Sequence, residues 1–304
     1  MEKNGLLVVN KPVGITSHTA VAKIRRLFGV EKAGHTGTLD PMAAGVLPVL
    51  VGRAVKAAEF LTESDKRYRA VLTLGVTTDT EDATGTVLSR SDAIPDEAAV
   101  LSAIAGFIGE IEQTPPMYSA IKVGGRKLLD LARRGETVER ESRTVTVYRL
   151  DAERIDERNY ALDAVVSKGT YIRTLCADVG RALGCGGIMS ALTRTSACGF
   201  SLSDAAAPDE LEQMTEEERA ARIIPTENLF PDAEKLSPDP FFVRLLRNGL
   251  RVETRKLGIA DAPLGTRFRL YDGDVFFALA EVREPNGEDG ETRAALAPLR
   301  QFDV

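Results

Sequence analysis

Apolar and polar side chains alternate along residues 68–74, and this period of two constrains the fold more than any other feature of the sequence. The alternation predicts a β-strand with one buried face. Two further runs, residues 144–150 and 160–167, predict strands on either side of a turn at residues 156–159. Strands that alternate in this way are typical of antiparallel sheets covered on one side.

Segments with helical spacing of apolar residues are interspersed with these strands. A helix is predicted from a Ser17 cap to Phe28, where Gly29 ends it. Further helices are predicted over residues 54–61, 95–109, 127–134, 174–183 and from Asp239-Pro240 to Gly249. Extended structure is predicted over residues 5–10 and 191–200. This mixture of antiparallel strands and helices favours an α+β fold over a doubly wound one.

The length of the chain, 304 residues, predicts two domains, or one large domain with an appendage. Residues 203–237 carry ten acids and three bases, a net charge of −7, and separate two regions. We therefore expect one domain over residues 1–235 and a small, mainly β domain over residues 236–304. In the second domain, Asp272-Gly273 between two apolar runs is typical of a hairpin turn.

Residues 117–143 have the composition of a basic insertion. Between residues 117 and 150 there are eight bases and four acids, although the net charge of the whole chain is −6. Gly124-Gly125 predicts a turn, and Gly135 predicts the end of a short basic helix. Because a phosphate backbone responds to the local field, this patch is a candidate nucleic-acid contact. A solvated surface is the alternative.

Few side chains are suited to hold a metal or a redox group. The three cysteines form no CxxC pair, and the only histidines are His18 and His35. We therefore expect reduced cysteines, no metal site and no cofactor. No apolar run reaches the ~18 residues of a membrane span, and the N-terminus lacks a signal-peptide pattern. We expect a cytoplasmic protein that makes no membrane contact.

The segment Gly34–Pro41 is the most unusual part of the chain, and it has neither a Walker A nor a dinucleotide-binding spacing. Asp40 in this segment has two interpretations. It could cap a helix that starts at Pro41. It could instead be a catalytic carboxylate, which needs a cationic partner to stay ionised in an enclosed site. Arg173 is the candidate partner, since guanidinium can hold a carboxylate with two hydrogen bonds; a surface arginine is the alternative.

Two aromatic side chains also have two interpretations each. Tyr68 lies on the apolar face of its strand, which suits a core residue whose hydroxyl finds a partner or a residue that stacks on a nucleobase. His35 could be a turn residue, or its ring could stack against a displaced base. The local sequence leaves both choices open.

Eight short segments over residues 9–200 form a larger pattern: Lys11-Pro12-x-Gly14, Gly34-His35-Thr36-Gly37-Thr38-Leu39-Asp40-Pro41, Ala44-Gly45-x-Leu47-Pro48, Asp65-Lys66-Arg67-Tyr68, Thr78-Asp79-Thr80-x-Asp82, Pro116-Met117-Tyr118-Ser119-Ala120, Lys168-Gly169-Thr170-Tyr171-Ile172-Arg173 and Leu192-Thr193-Arg194. In these motifs and in their order, the chain resembles the TruB family, the bacterial synthases that make pseudouridine in the T loop of transfer RNA. The resemblance implies a pseudouridine synthase domain with a central mixed, largely antiparallel sheet flanked by helices. It also implies a small PUA-like RNA-binding domain at the C-terminus.

The resemblance implies roles for individual residues as well. Asp40 would be the catalytic aspartate, Arg173 would pair with it and lower its pKa, and Tyr68 would stack on the target base. Leu192 would form an apolar wall, and His35 would fill space left by displaced bases. The expected substrate-binding residues are His35, Tyr171, Leu192, Lys11, Arg126 and Lys127, of which Lys11 supports the pocket rather than reacting.

The substrate implied by the resemblance is transfer RNA, modified at position 55 in the T loop by a monomer that needs no cofactor. Two alternatives remain at this point. A non-catalytic tRNA-folding factor would tolerate the loss of Asp40, and a pseudouridine synthase could act on another RNA. A metal-dependent hydrolase is disfavoured by the shortage of histidines and clustered ligands.

Overall fold

The computed structural model describes residues 3–119, 121–284 and 294–303; Ala120 and the side chain of Lys127 lie outside that description. The strands are β1 (Gly5–Lys11), β2 (Ala33–His35), β3 (Ala43–Val51), β4 (Lys66–Leu74), β5 (Val76–Thr78), β6 (Val87–Arg90), β7 (Gly109–Gln113), β8 (Lys122–Val123), β9 (Arg126–Lys127), β10 (Arg143–Arg154), β11 (Asn159–Val166), β12 (Gly187–Ala197), β13 (Phe200–Ser201), β14 (Ile224–Pro225), β15 (Glu234–Leu236), β16 (Val252–Glu253), β17 (Arg267–Asp272), β18 (Val275–Arg283) and β19 (Ala295–Gln301). The helices are α1 (Ser17–Phe28), α2 (Ala58–Leu61), α3 (Glu97–Ala105), α4 (Leu128–Ala132), α5 (Ile172–Ala182), α6 (Pro208–Gln213), α7 (Glu216–Ala221) and α8 (Pro240–Arg247). None of the described helices is long and apolar enough to span a bilayer.

A central sheet of ten strands organises most of the chain. Its main path runs β14-β1-β3-β12-β4-β11-β10-β7, with β2 paired to β3 and β13 paired to β12. Every pairing in this sheet is antiparallel except the short parallel contact between β3 and β12. The helices α1, α3 and α5 contribute Ile24, Val100 and Leu175 to the hydrophobic core on one face of this sheet. The expected α+β class with a mixed, largely antiparallel sheet is confirmed.

A second sheet of five strands follows, in the order β15-β17-β18-β19-β16. It packs with α8 around a core of its own that contains Leu246, Phe277 and Leu296. The predicted hairpin is present, since β17 and β18 pair across Asp272-Gly273. The acidic stretch does more than separate the two sheets, because its strand β14 pairs with β1 in the central sheet.

The helices and strands with a clear apolar period are present as predicted, but several of them begin or end at other residues. Thr16, not Ser17, caps α1, because the Ser17 side chain is buried and is bonded to the chain at Leu39. Residues 54–61 form a 3-10 turn followed by the single turn of α2. The helix predicted over 95–109 is shorter, since Asp96 caps it and Gly109 starts β7. In the insertion, α4 covers only Leu128–Ala132.

The strand β3 was not predicted, because Gly45 and Pro48 interrupt its apolar run. It lies near the centre of the sheet, where a continuous apolar run is buried on both faces. Pro48 has no backbone N–H to donate, and its place in the strand makes this harmless. Its carbonyl accepts a hydrogen bond from Thr36 N, so its ring nitrogen, which lies on the same side of the strand as the carbonyl, also faces that edge. Along that edge the partner of β3 changes from β12 to β2, and the proline therefore breaks no hydrogen bond of the sheet.

Gly45 is required by the parallel contact between β3 and β12. Its φ is +109°, and a Cβ at this position would lie 2.2 Å from the carbonyl oxygen of Arg194. We expect Gly45→Ala to lower the free energy of unfolding by about 2–4 kcal/mol, from backbone strain plus steric overlap. Urea unfolding followed by circular dichroism measures this. Gly34→Ala is the control, since its added Cβ would meet open space, and equal losses in the two variants would contradict the assignment.

Candidate active site

Asp40 lies in the loop between β2 and β3, and no helix begins there. Its carbonyl accepts a hydrogen bond from Ala43 N at 3.0 Å, and this turn leads directly into β3. The helix-cap interpretation is therefore wrong. The Asp-Pro pair suits a cap locally, but the residues that follow it are needed as a central strand of the sheet.

The chain on either side of Asp40 is fixed by hydrogen bonds from the start of α1. Ser17 Oγ donates to Leu39 O at 2.9 Å and accepts from Leu39 N at 2.8 Å. Gly14 N donates to Pro41 O at 2.7 Å. The backbone that carries the Asp40 carboxylate is therefore held in place by the protein itself, without help from a ligand.

Arg173 meets Asp40 from the first turn of α5, and only 4% of this residue is exposed. Its Nε lies 3.0 Å from Asp40 Oδ2. The other two nitrogens donate to main-chain oxygens, Nη1 to Thr80 at 3.0 Å and Nη2 to Tyr118 at 2.9 Å. The predicted ion pair is present and the surface alternative is wrong. The guanidinium does not hold Asp40 with two hydrogen bonds, because its terminal nitrogens are used elsewhere.

Asp82 is a second carboxylate at this guanidinium, and no role for it was predicted from the sequence. Its Oδ2 lies 3.5 Å from Arg173 Nη1, and its side chain is 5% exposed. Its Oδ1 accepts hydrogen bonds from Thr80 Oγ1, Thr84 N and Thr84 Oγ1. The only signal for it was its position in the Thr78–Asp82 segment that the family resemblance includes. Asp82 thus brings a second negative charge to this guanidinium, at Nη1 rather than at the Nε that meets Asp40.

Burial raises the pKa of Asp40 above its usual value, and the carboxylate of Asp82 raises it further. The charges of Arg173 and Lys11 lower the pKa but do not cancel the effect of burial. Arg173 thus lowers the pKa of Asp40 as expected, while burial makes the net shift upward. The site thus holds a carboxylate that has one ion-pair partner and whose side chain is still 36% exposed.

Lys11 lies at the end of β1 and is completely buried. Its Nζ donates to Pro12 O and Ile15 O, each at 2.8 Å. Burial lowers the pKa of Lys11 to about 8, against the charge of Asp40, which raises it. These contacts hold the turn of the chain from β1 into α1.

Arg194, on β12, is the largest fully buried side chain among the described residues. Its Nε donates to Val46 O at 2.7 Å, and Nη2 donates to Gly37 O at 3.0 Å. Nη1 lies at the limit of hydrogen-bond distance, 3.5 Å, from Thr38 O. Like Asp82, it lies inside a segment of the family resemblance, but no role for it was predicted from the sequence.

Tyr68 and Leu192 lie on adjacent strands beside the start of β3. Tyr68 on β4 is buried and is paired in register with Arg194 of β12. Leu192 lies opposite Ala70 of β4 and Ala43 of β3. Both side chains belong to or pack against the same hydrophobic cluster, which also includes Leu39. The structure thus brings the two residues to the part of the sheet from which the Asp40 loop emerges.

His35 lies on β2 and faces His18 at the start of α1, with ring centroids 6.1 Å apart in an edge-to-face arrangement. Burial lowers the pKa of His35, as do the charges of His18 and Arg194. Its Nδ1 is buried and has no hydrogen-bond partner among the described residues. His35 is thus a strand residue rather than a turn residue, with a neutral ring favoured.

Tyr171 immediately precedes α5 and is fixed through its backbone. Gln113 at the end of β7 accepts from Tyr171 N at 2.9 Å and donates to Tyr171 O at 3.1 Å. The guanidinium carbon of Arg143 lies 5.3 Å from the centre of the Tyr171 ring, within the range of a cation–π contact. Gln113, which no sequence pattern indicated, therefore sets the position of the chain just before Arg173.

The basic insertion is a hairpin, β8–β9, followed by α4. The side chains of Arg126, Arg133 and Arg134 are exposed and form no ion pair within the described part of the chain. Leu128 and Leu131 are buried and anchor α4. The insertion touches the Asp40 site through Tyr118 O, while its exposed arginines point to solvent.

Two other features of the described residues bear on the site. No three histidine, cysteine, aspartate or glutamate side chains in the described ranges are grouped so that they could hold a metal ion. A cleft of about 590 Å³ is lined by Glu81, Arg90, Arg181 and Cys185, among others. It contains none of the predicted site residues, although the loop that carries Asp82 forms part of its wall through Thr78 and Glu81.

Comparison with known proteins identifies the class. A solved structure described as a Cbf5-Nop10-Gar1 complex superposes with a TM-score of 0.71 and 28% identity, covering 98% of this chain and 84% of that one. Residues 25–172 match the TruB family pseudouridylate synthase N-terminal domain, and residues 173–230 match the tRNA pseudouridylate synthase B C-terminal domain. The five-stranded sheet from β15 to β19 lies after both matched ranges.

Two curated relatives make the assignment more specific. The chain is 41% identical to tRNA pseudouridine synthase B of Alkaliphilus oremlandii, over 92% of this chain and 93% of that protein. It is 44% identical to tRNA pseudouridine synthase B of Burkholderia pseudomallei, over 89% of this chain and 90% of that protein. The chain belongs to the TruB family of pseudouridylate synthases, as the motifs indicated.

The charges around Asp40 predict opposite shifts of its pKa in two variants. Lys11→Met removes a positive charge and should raise the pKa of Asp40, whereas Asp82→Asn removes a negative charge and should lower it. Titration of carboxyl-¹³C aspartate by NMR, with Asp40 assigned through Asp40→Asn, measures both shifts. Lys23→Met, at an exposed ion pair, is the control and should leave Asp40 unchanged. Shifts of the same sign in both variants would contradict this account.

Proposed function

We propose that this chain converts uridine to pseudouridine at position 55 in the T loop of transfer RNA. The observation that carries the proposal is the Asp40–Arg173 pair, in which a loop fixed on both sides presents one carboxylate to a buried guanidinium. The proposal is supported by the family assignment and by relatives named tRNA pseudouridine synthase B.

In the proposed reaction, the bond between N1 of uracil and C1′ of ribose breaks, the base turns, and a bond forms between C5 and C1′. The proton on C5 is then lost and N1 gains one, so the product is an isomer of the substrate and the reaction is redox-neutral. Asp40 acts as a carboxylate, either by attacking C1′ or by removing a sugar proton to give a glycal. Arg173 holds its Oδ2 at 3.0 Å and thereby aims the other oxygen. Tyr68 and Asp40 are the candidate bases for the C5 proton.

The target base must leave the stacked T loop to reach Asp40, at a cost of a few kcal/mol. Tyr68 would stack on the flipped uracil, and stacking of a base on an aromatic ring contributes ~1–3 kcal/mol. Leu192 would form the apolar wall beside the uracil. Tyr171, which immediately precedes α5 in the chain, would also contact the substrate. His35, with its neutral ring at the edge of the site, would occupy space left by displaced bases.

Contacts outside the pocket complete the proposal. Arg126 and Lys127 of the basic insertion would bind phosphates, since RNA is recognised mostly through shape and backbone. The small sheet from β15 to β19 would act as a PUA-like RNA-binding domain. Its boundary would lie just before Glu234, two residues ahead of the predicted start at residue 236, because β15 belongs to this sheet. The enzyme would work as a monomer in the cytoplasm, where transfer RNA is processed.

Asp40→Asn tests the central step. The variant keeps the size of the side chain but loses its charge, and we expect no turnover with RNA binding retained within about twofold. Tritium release from transfer RNA labelled at uridine C5 measures turnover, and filter binding measures affinity. Asp209→Asn, at an exposed ion pair with Lys23, is the matched control and should be fully active. Undiminished activity of Asp40→Asn would remove Asp40 from the mechanism and favour a different site.

The role of the insertion is tested by salt dependence. Replacing Arg126, Arg133 and Arg134 by Gln should weaken tRNA binding and reduce the slope of log affinity against log salt, by about 0.7–0.9 for each phosphate that is no longer neutralised. Affinities measured between about 50 and 200 mM salt give the slope. Replacement of the exposed Arg25, Arg26 and Arg222 by Gln removes the same three charges elsewhere and controls for net charge. An unchanged slope in the insertion variant would exclude that surface.

A further inference from the structure

The environment of Arg194 is unusual for a buried cation. The residue is 1% exposed, yet no carboxylate of the described residues lies within ion-pair distance of its guanidinium. Its partners are three main-chain carbonyls, those of Val46, Gly37 and Thr38. Buried charges usually have an opposite charge beside them, because desolvation of an ion costs several kcal/mol.

The position of the three carbonyls shows what the guanidinium connects. Gly37 and Thr38 precede Asp40 in the chain, and Val46 follows it on β3. The planar donor set of Arg194 therefore joins both ends of the segment that carries the Asp40 carboxylate. The backbone of Arg194 makes a second connection to the same segment, since it pairs with Gly45 of β3 at the parallel contact between β3 and β12.

The arrangement carries the desolvation cost of a cation, and what it provides in return is the bonding of the backbone. An apolar side chain of similar volume would avoid the desolvation but would leave the three carbonyls without donors. What an apolar side chain cannot do is hold two separate stretches of backbone at fixed distances. Reaction geometry is sensitive to such distances, and a displacement of about 1 Å can cost about 10²-fold in rate.

We propose that Arg194 is a positioning residue for the reaction, which fixes the Asp40 loop through hydrogen bonds from its planar guanidinium to Gly37 and Val46. This inference rests on the proposed function, because it assigns Asp40 the reacting carboxylate. Arg194 acts through the loop and touches no reacting atom. The planar fork is the essential feature, so a lysine that keeps the charge does not replace it.

The charge of Arg194 provides an independent readout. It lowers the pKa of His35, together with burial and the neighbouring His18. The chain has only two histidines, so both can be followed separately by NMR. Arg194→Met should raise the pKa of His35, whereas Arg194→Lys should leave it close to the wild-type value. The readout shows whether each variant places a charge where Arg194 had one.

The experiment compares Arg194→Lys, Arg194→Met and wild type by single-turnover tritium release, tRNA affinity and the His35 titration. Arg219→Met is the control for loss of an arginine that bonds main-chain carbonyls elsewhere: the half-buried Arg219 guanidinium donates to Met214 O and lies 3.5 Å from Leu211 O. We expect both Arg194 variants to lose about 10²-fold in single-turnover rate with affinity within about twofold of wild type. The control should keep its rate.

The outcomes separate the inference from the proposed function. A wild-type chain that binds transfer RNA but releases no tritium contradicts the function itself. The positioning role alone is contradicted if the wild type is active and Arg194→Lys is equally active. The His35 pKa of that variant must then show that the lysine charge is in place. If Arg194→Met fails to fold, the Arg194→Lys variant decides. A rate loss matched by Arg219→Met would also overturn the inference, since it would reflect general destabilisation.

Discussion

The buried guanidinium of Arg173 is the contact on which the site depends. It joins four segments that are far apart in sequence: its own helix α5, the Asp40 loop, the Thr80–Asp82 loop and the insertion at Tyr118. A charge that is almost excluded from water must find partners for its donors inside the protein. Satisfying this one side chain therefore requires the three other segments to approach α5, and the candidate active site is the place where they meet.

The parallel contact between β3 and β12 determines what surrounds this meeting point. It pairs only three residues on each strand, Ala43–Gly45 with Leu192–Arg194, within a sheet that is otherwise antiparallel. Because β12 also pairs with β4, the contact places Leu192 and Tyr68 beside the origin of the Asp40 loop. Gly45 allows the two backbones to approach at this point, since any side chain there would overlap Arg194.

The sequence predicted the elements whose periodicity is local. The strand β4 follows from apolar residues at a period of two, and the helix α1 from apolar residues at a period of about 3.6. The hairpin of β17 and β18 follows from the turn residues Asp272-Gly273. The strand β3 could not be found in this way, because its burial on both faces removes the alternation and its proline is tolerated only through a change of partner strand.

The same difference between local and distant information applies to the site. The family resemblance predicted the pairing of Asp40 with Arg173. The local sequence instead favoured a helix cap for Asp40 and a surface position for Arg173. Asp82 and Arg194 were missed because their roles depend on contacts with residues distant in the chain, Arg173 for the first and Gly37 for the second. No local pattern distinguishes a buried, bonded arginine from a solvated one.

The distribution of charge explains how the site can be both firmly built and open to a substrate. Three buried cations, Lys11, Arg173 and Arg194, are held mainly by main-chain carbonyls, and the carboxylate of Asp82 takes most of its hydrogen bonds from threonines and their backbone. Asp40 therefore has to satisfy only one of these groups, through Oδ2. Its side chain is 36% exposed, and the described residues donate no hydrogen bond to Oδ1. A carboxylate shared fully among the cations would be more stable but would have no oxygen left for a substrate.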